Sequence, residues 1–413
     1  MYLSGLIHRD HLFEVAMRWF HDNVEPRDAE FLTKVFVYES LICGPVGRDF
    51  MVDVLRQIHP DPLHLRRVYQ KDEVREAIID GLPVVTPAMQ AHYDEFRRNP
   101  DEYFPSTPVD VILATGARER LHAMMRIKRI RRVAEKASRR VADRLAGTIW
   151  GTARSLAALR AQASGVTLEE LISSPEQMAE EFAAAERVVS QAFRDRRTML
   201  RPADMHIDDV IGFKFIGTSE ELRTIERRIC DHPSTTLVER EVHTGSYNAV
   251  NLLLDFQRPP AGRIVDRMRD RDWSFAAGRG IPPVRLREGF GEYLESGETT
   301  FRAEVILTSP EELVESEFGR SIHEEHVLDQ RTSAPYQGRI ASNASYLIEY
   351  LLMVGLSPTV HIESLPVKMW GRYLPDNVSA GIWDLFGVAH DVVVWDSFLP
   401  KQEMVVLQTE EGR

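Results

Sequence analysis

A change of apolar period at about Arg201 limits most what this chain can fold into. Downstream of it, Ile211, Phe213 and Phe215 alternate with Gly212 and Lys214. Val250, Leu252 and Leu254 alternate with Asn251 and Leu253, and Phe301, Ala303, Val305 and Leu307 with Arg302, Glu304 and Ile306. Period two marks strands, so these runs predict one sheet with its helices. Upstream the period is helical. In HLFEVAMRWF the apolar Leu12, Phe13, Ala16, Trp19 and Phe20 recur at three- and four-residue steps and form one sticky face. Thr86-Pro87 predicts a capped helix start and Asn99-Pro100 its end. Ser174-Pro175-Glu176-Gln177 predicts a capping box within a helical stretch over 168–197. LHAMMRIKRIRRVAEKASRRVADRLAG carries Leu121, Met124, Met125, Ile130, Val133 and Ala137 at helical spacing, which predicts a long basic helix. The expected class is α/β (α+β): a helical unit over 1–108, a sheet domain over 109–335 and a small α/β extension over 336–413. That extension is expected to hold a helix and strands at Thr359–Glu363 and Asp391–Trp395.

At 413 residues, 43% hydrophobic and 28% charged, the chain has the composition of a globular protein with a large core. A net charge of -12 gives no general drive toward nucleic acid or anionic lipid, so any such contact would need a local basic patch. Cys43 and Cys230 are the only cysteines, which excludes a disulfide framework. The N-terminal MYLSGLIHRDH lacks the apolar core of a secretory signal. Tyr346–Leu356 is too short to span a bilayer and contains Glu349. A cytoplasmic chain with no membrane partner is expected, and a homo-oligomer is compatible with everything above.

Asp208 and Asp209 stand at the start of the strand expected from Val210 to Ile216, where alternation sends them to opposite faces. Glu304 lies mid-strand, out of phase with its apolar neighbours. Buried acids need a cation or a wet cleft, since an unpaired charge costs several kcal/mol. Two acids on adjacent strands suit magnesium; the alternative is pairing with arginines on a solvated face. Lys128, Arg132 and Lys136 repeat at four-residue steps and form a cationic stripe that repels itself unless an anion lies on it. That anion is either a polyphosphate or an acidic element of the protein. His323 and His326 stand at a three-residue step that can bind a metal but more often marks ordinary polar helix positions, and no Walker motif, dinucleotide fingerprint or hydrolytic triad is readable.

In order, these pieces resemble the synthetase domain of the RelA/SpoT-type alarmone synthetases, which carry pyrophosphate from ATP to the ribose 3′-hydroxyl of a guanine nucleotide. Arg126-Ile-Lys-Arg-Ile-Arg-Arg-Val-Ala-Glu-Lys136 is similar to R-x-K-x-I-x-S-I-x-x-K, with Arg132 in place of serine. Asp209-Val-Ile-Gly-Phe-Lys214-Phe-Ile resembles D-x-x-G-x-R-x-I, with Lys214 in place of arginine. Gly245-Ser-Tyr247-Asn-Ala-Val-Asn251 resembles G-Y-x-S-x-H, with Asn251 in place of histidine. Glu304-Val-Ile-Leu-Thr308 is similar to E-x-Q-I-R-T without its glutamine and arginine, and Ser316-Glu-Phe-Gly-Arg-Ser-Ile-His323 to A-E-x-G-x-A-x-H.

The resemblance covers Leu121 to Gln330, with insertions near 146–201 and 257–300. It implies a mixed-sheet, nucleotidyltransferase-like site. Arg126, Lys128, Lys136 and Lys214 would hold ATP, and Asp209 and Glu304 would bind magnesium and act catalytically. Tyr247, Asn251 and His323 would bind the acceptor nucleotide. The family's R-x-K-D-Y-I acceptor loop is absent from its place in TTLVEREVHT (235–244), and so is the Asp-His hydrolase motif. An inactive nucleotide-binding regulator and pyrophosphorylation of a tRNA 3′ end therefore stay open as alternatives.

Overall fold

The structure is a computed structural model that describes residues 8–59, 61–83, 86–104, 106–197, 200–245, 248–274, 281–319, 338–358 and 362–386. Helices α1 (Arg9–Phe20) and α2 (Asp28–Arg56) come first, and Leu12, Ala16, Trp19 and Phe20 of the expected α1 stripe are buried. Next are β1 (His64–Gln70), α3 (Lys71–Gly81), α4 (Pro87–Arg98), β2 (Pro108–Thr115) and β3 (Leu121–Ile127). Thr86 caps α4 as its sequence predicts, its Oγ accepting from Met89 N–H at 3.2 Å.

The long α5 (Ile130–Ser164), the short α6 (Leu168–Leu171) and α7 (Pro175–Arg194) follow. Ser174 and Gln177 close the expected capping box at 3.2 and 3.3 Å. The second half contains β4 (Ile211–Ile216), α8 (Ser219–Cys230), β5 (Thr235–His243) and β6 (Ala249–Gln257). It continues through α9 (Ala261–Arg267), α10 (Pro283–Ser296), β7 (Thr300–Thr308), α11 (Pro310–Phe318), α12 (Arg339–Val354) and α13 (Pro375–Asp384).

The seven strands form one sheet in the order β1-β2-β3-β4-β7-β6-β5. It is mixed: β4 and β7 run parallel, and every other neighbouring pair is antiparallel. Between β6 and β7 the chain makes the long excursion expected from its Gly, Pro and Arg content, and α10 ties it back to α2. Tyr38 Oη donates to Leu286 O at 2.7 Å and Tyr293 Oη to buried Glu39 at 2.9 Å.

Alternation gives the sheet two unlike faces. On one face Phe213, Phe215 and Phe256 meet Phe50 of α2 edge-on and Phe301 stacks on Phe256, within the main core that α1, α5, α7 and α12 complete. A smaller core on the other face joins Val74, Met89, Phe96, Met124, Leu313 and Phe318, so α3, α4 and α11 cover its β1–β3 side. Beyond that cover, Gly212, Lys214, Asn251, Glu304 and Ile306 are left half-buried.

Three expectations are corrected. Leu121–Ile127 is a strand and not the start of the basic helix, because β3 pairs with β2 and β4 and is buried on both faces. A strand of that kind has a near-continuous apolar run in which Leu121, Met124 and Met125 match helical spacing by coincidence. β1 lies within the span expected to be helical, and its pairing with β2 supplies the order that its short polar sequence does not show. Asp208 and Asp209 sit in a turn ahead of β4, so alternation does not set their directions. The expected strand at 391–395 and most of the one at 359–363 lie outside the described residues.

Candidate functional site

The half-buried polar face gathers most of the residues that the sequence singles out. Register places Gly212 of β4 opposite Arg126 of β3 on one side and Glu304 of β7 on the other. Lys214 and Asn251 are both opposite Ile306. Asp209 stands just before β4, and Lys128 lies between β3 and α5, its N–H bonded to Val210 O at 2.8 Å. Lys136 approaches from the second turn of α5.

Lys128 Nζ and Lys136 Nζ each lie 2.6 Å from Asp209 Oδ2. Lys128 Nζ also donates to the Asp209 carbonyl. One carboxylate thus holds two ammoniums, and the anion that the stripe requires is, in this structure, an acid of the protein itself. Arg132 is not part of the arrangement and pairs with Glu135 at 2.7 Å.

Burial tends to raise the Asp209 pKa, but Lys128 and Lys136 outweigh it and bring the carboxyl from its ordinary 3.8 to about 2. Lys128 moves the other way for a lysine. Burial, only partly offset by Asp209 and reinforced by Lys136, lowers it from 10.5 to about 8. The two shifts agree physically, because Asp209 gains two partners whereas Lys128 shares one partner with a like charge. Glu304 is raised, first by burial and then by the Asp209 charge, so the two acids sense each other. Asn251 Nδ2 is 3.4 Å from Glu304 Oε1, and its own Oδ1 is buried with no hydrogen-bond partner.

A second carboxylate organises the other two cations. Glu317 of α11 is buried, with Lys214 Nζ at 2.8 Å and Arg126 Nη2 at 3.4 Å from its Oε1. Burial alone would raise Glu317, but Lys214 and Arg126 hold it well below the usual carboxylate range. Sequence reasoning gave Glu317 no role, although it lies in the segment aligned with A-E-x-G-x-A-x-H. The available signal was spacing: Glu317 follows Leu313 and Val314 at four- and three-residue steps, on the apolar face of a helix whose other acids lie elsewhere. Asp208 belongs to a third set, the solvated arginine pairing that was one alternative: Arg302 Nη1 is at 3.7 Å, Arg140 Nη1 at 4.0 Å, and Arg302 Nε binds Asp255 at 2.8 Å. Tyr247 and His323, like His326, lie outside the described residues.

The oxygen-only donors around Asp209 fit a hard divalent cation such as magnesium. They are the Asp209 and Glu304 carboxylates, which repel each other, while the unpartnered buried Asn251 Oδ1 belongs to the side chain beside Glu304. No cluster of three or more His, Cys, Asp or Glu suited to a metal occurs among the described residues, so magnesium held here would also need water or substrate oxygens.

The Asp209 shift makes a pH prediction. A carboxyl depressed from 3.8 to about 2 stabilises the fold fully above its unfolded value, and that contribution is lost as the pH falls through about 2. It is worth about 2 kcal/mol. Lys128, lowered to about 8, adds stability as the pH rises from there through 10.5. In urea unfolding, the difference between wild type and Asp209→Asn should shrink between about pH 5 and 2. A difference constant across that range would contradict the ion cluster.

No family model and no curated protein sequence matches the chain. Among solved structures, the small alarmone synthetase 1 from Bacillus subtilis aligns at 12% identity over 40% of this chain and 68% of its own, with a TM-score of 0.20. A score that low carries no argument about fold or function, and the described residues contain no helix long and apolar enough to cross a membrane.

Proposed function

We propose that this face transfers a pyrophosphoryl group from ATP to the 3′-hydroxyl of a guanine nucleotide, with magnesium. The observation that carries the proposal is the convergence of Lys128 and Lys136 on Asp209 beside the electrostatically coupled Glu304. The motif resemblance supports it. Lys128 and Lys136 would exchange Asp209 for the triphosphate, leaving Asp209 and Glu304 to hold the metal. Bound magnesium would supply charge neutralisation and alignment of the phosphates. Glu304, with its raised proton affinity, is suited to take the proton of the attacking hydroxyl. The 3′-oxygen bonds to the β-phosphorus as the α–β anhydride breaks, and AMP leaves. Positioning and neutralisation carry most of such a reaction, so a small residue set suffices.

A nucleotide-binding regulator without transfer is the second reading, favoured by one observation: 235–243, where the acceptor loop would fall, is strand β5 with mostly exposed side chains. Labelled ATP incubated with magnesium and GDP, GTP or deacylated tRNA separates the two. AMP release together with a labelled acceptor is the expected result and identifies the acceptor. ATP binding without AMP release with any of the three would establish the regulator instead.

A further inference from the structure

Beyond Ile149 the inward face of α5 narrows to alanines: Ala153, Ala157 and Ala161 are buried at four-residue steps. Side chains this small do not fill the space toward α6 and the start of α7, and a cavity of about 520 Å3 is left there, a size common for small-molecule sites. Its walls are apolar: Trp150 comes from α5, Leu168 and Ile172 from α6 and its C-terminal end, and Met178 from α7. Trp150 is 49% and Met178 43% exposed, so large apolar side chains meet water at the opening, and a ligand would complete their burial. Phe182 steadies Trp150, with ring centroids 4.8 Å apart. The lining follows α5 from Trp150 to Ala157, about two turns or about 10 Å, so the cavity is elongated. Two charges reach it. Glu181 is buried and holds Arg160 Nη2 at 2.6 Å, which neutralises it inside the protein. Arg154 is exposed and has no ion pair among the described residues, and α5 carries no acid after Asp143. The charge left over at the cavity is thus positive.

We propose that this cavity binds a small amphipathic carboxylate of the medium-chain fatty acid class, its alkyl chain between α5 and α7 and its carboxylate on Arg154. An elongated apolar body matches the shape and the lining, and a single anion matches the one unpaired charge. The lining residues fall within 146–201, the insertion outside every aligned motif. Trp150 also stands about 20 Å along α5 from Lys136. The cavity is therefore distinct from the polar face of the sheet, and its occupant does not depend on the transferase reading.

Calorimetric titration of the full chain with octanoate, decanoate and decan-1-ol tests this. One site per chain is expected, and decanoate should bind about fifteenfold tighter than octanoate, or about fourfold for each methylene buried. Arg154→Gln should weaken decanoate by about tenfold, the worth of one charge-assisted contact, and leave decan-1-ol unchanged. Gly151→Leu should abolish the binding of both by filling the space. Gly151 lines the cavity, and nothing beyond its own turn of helix lies within 4 Å of where a Cβ would stand, so the new side chain enters without a clash. Circular dichroism and urea unfolding confirm that each variant folds. No binding of decanoate, affinity independent of chain length, or decanoate binding that either variant leaves unchanged would overturn the site. Wild-type chain that binds decan-1-ol as tightly as decanoate would overturn the carboxylate as its ligand group.

Discussion

Asp209→Asn is expected to cut AMP release from ATP by about a thousandfold, the scale of losing a principal electrostatic group from a preorganised site. The change keeps the shape of the side chain and removes the charge on which Lys128 and Lys136 meet. It also removes one of the two acids proposed to hold magnesium. The same substitution should lower the Lys128 pKa further below about 8, since Asp209 is the leading group that holds its proton on. Steady-state AMP release and the titration of Lys128 followed by NMR read the two effects separately. A variant that keeps transfer within tenfold of wild type would remove Asp209 from the chemistry, and with it the proposed metal pair.

Phe213→Ala should destabilise the fold by about 3 to 5 kcal/mol, the range for deleting a buried aromatic ring. Phe213 is 0% exposed and packs edge-on to Phe50 at 5.4 Å, with Phe256 stacked at 5.9 Å. The ring is the point where α2 grips the middle of the sheet. Its loss should loosen β4, whose opposite face carries Gly212 and Lys214. Urea unfolding gives the magnitude, and Phe213→Leu should recover most of it. A loss under about 1 kcal/mol would mean that the ring is not a packing centre.

Much of the architecture was legible because it depends on local chemistry. Alternation around Phe213, Leu252 and Val305 marked β4, β6 and β7, and Thr86 and Ser174 marked two helix starts, since a cap or a pleat is written within a few residues. β1, β2, β3 and β5 were not legible. The polar His64–Gln70 owes its order to β2, and the doubly buried Leu121–Ile127 has an apolar run that fits either period.

The same division runs through the site. Residue types and their order are written along the chain: the lysines at 128 and 136, the acids at 209 and 304, and Arg126 with Lys214. Their partners come from the fold. It brought Lys128 and Lys136 onto Asp209 across more than seventy residues of chain, gave Arg126 and Lys214 to Glu317, and tied Asp208 to Arg302. A charge pairs with whatever countercharge the fold places within a few ångströms, and sheet register and helix docking set that separation.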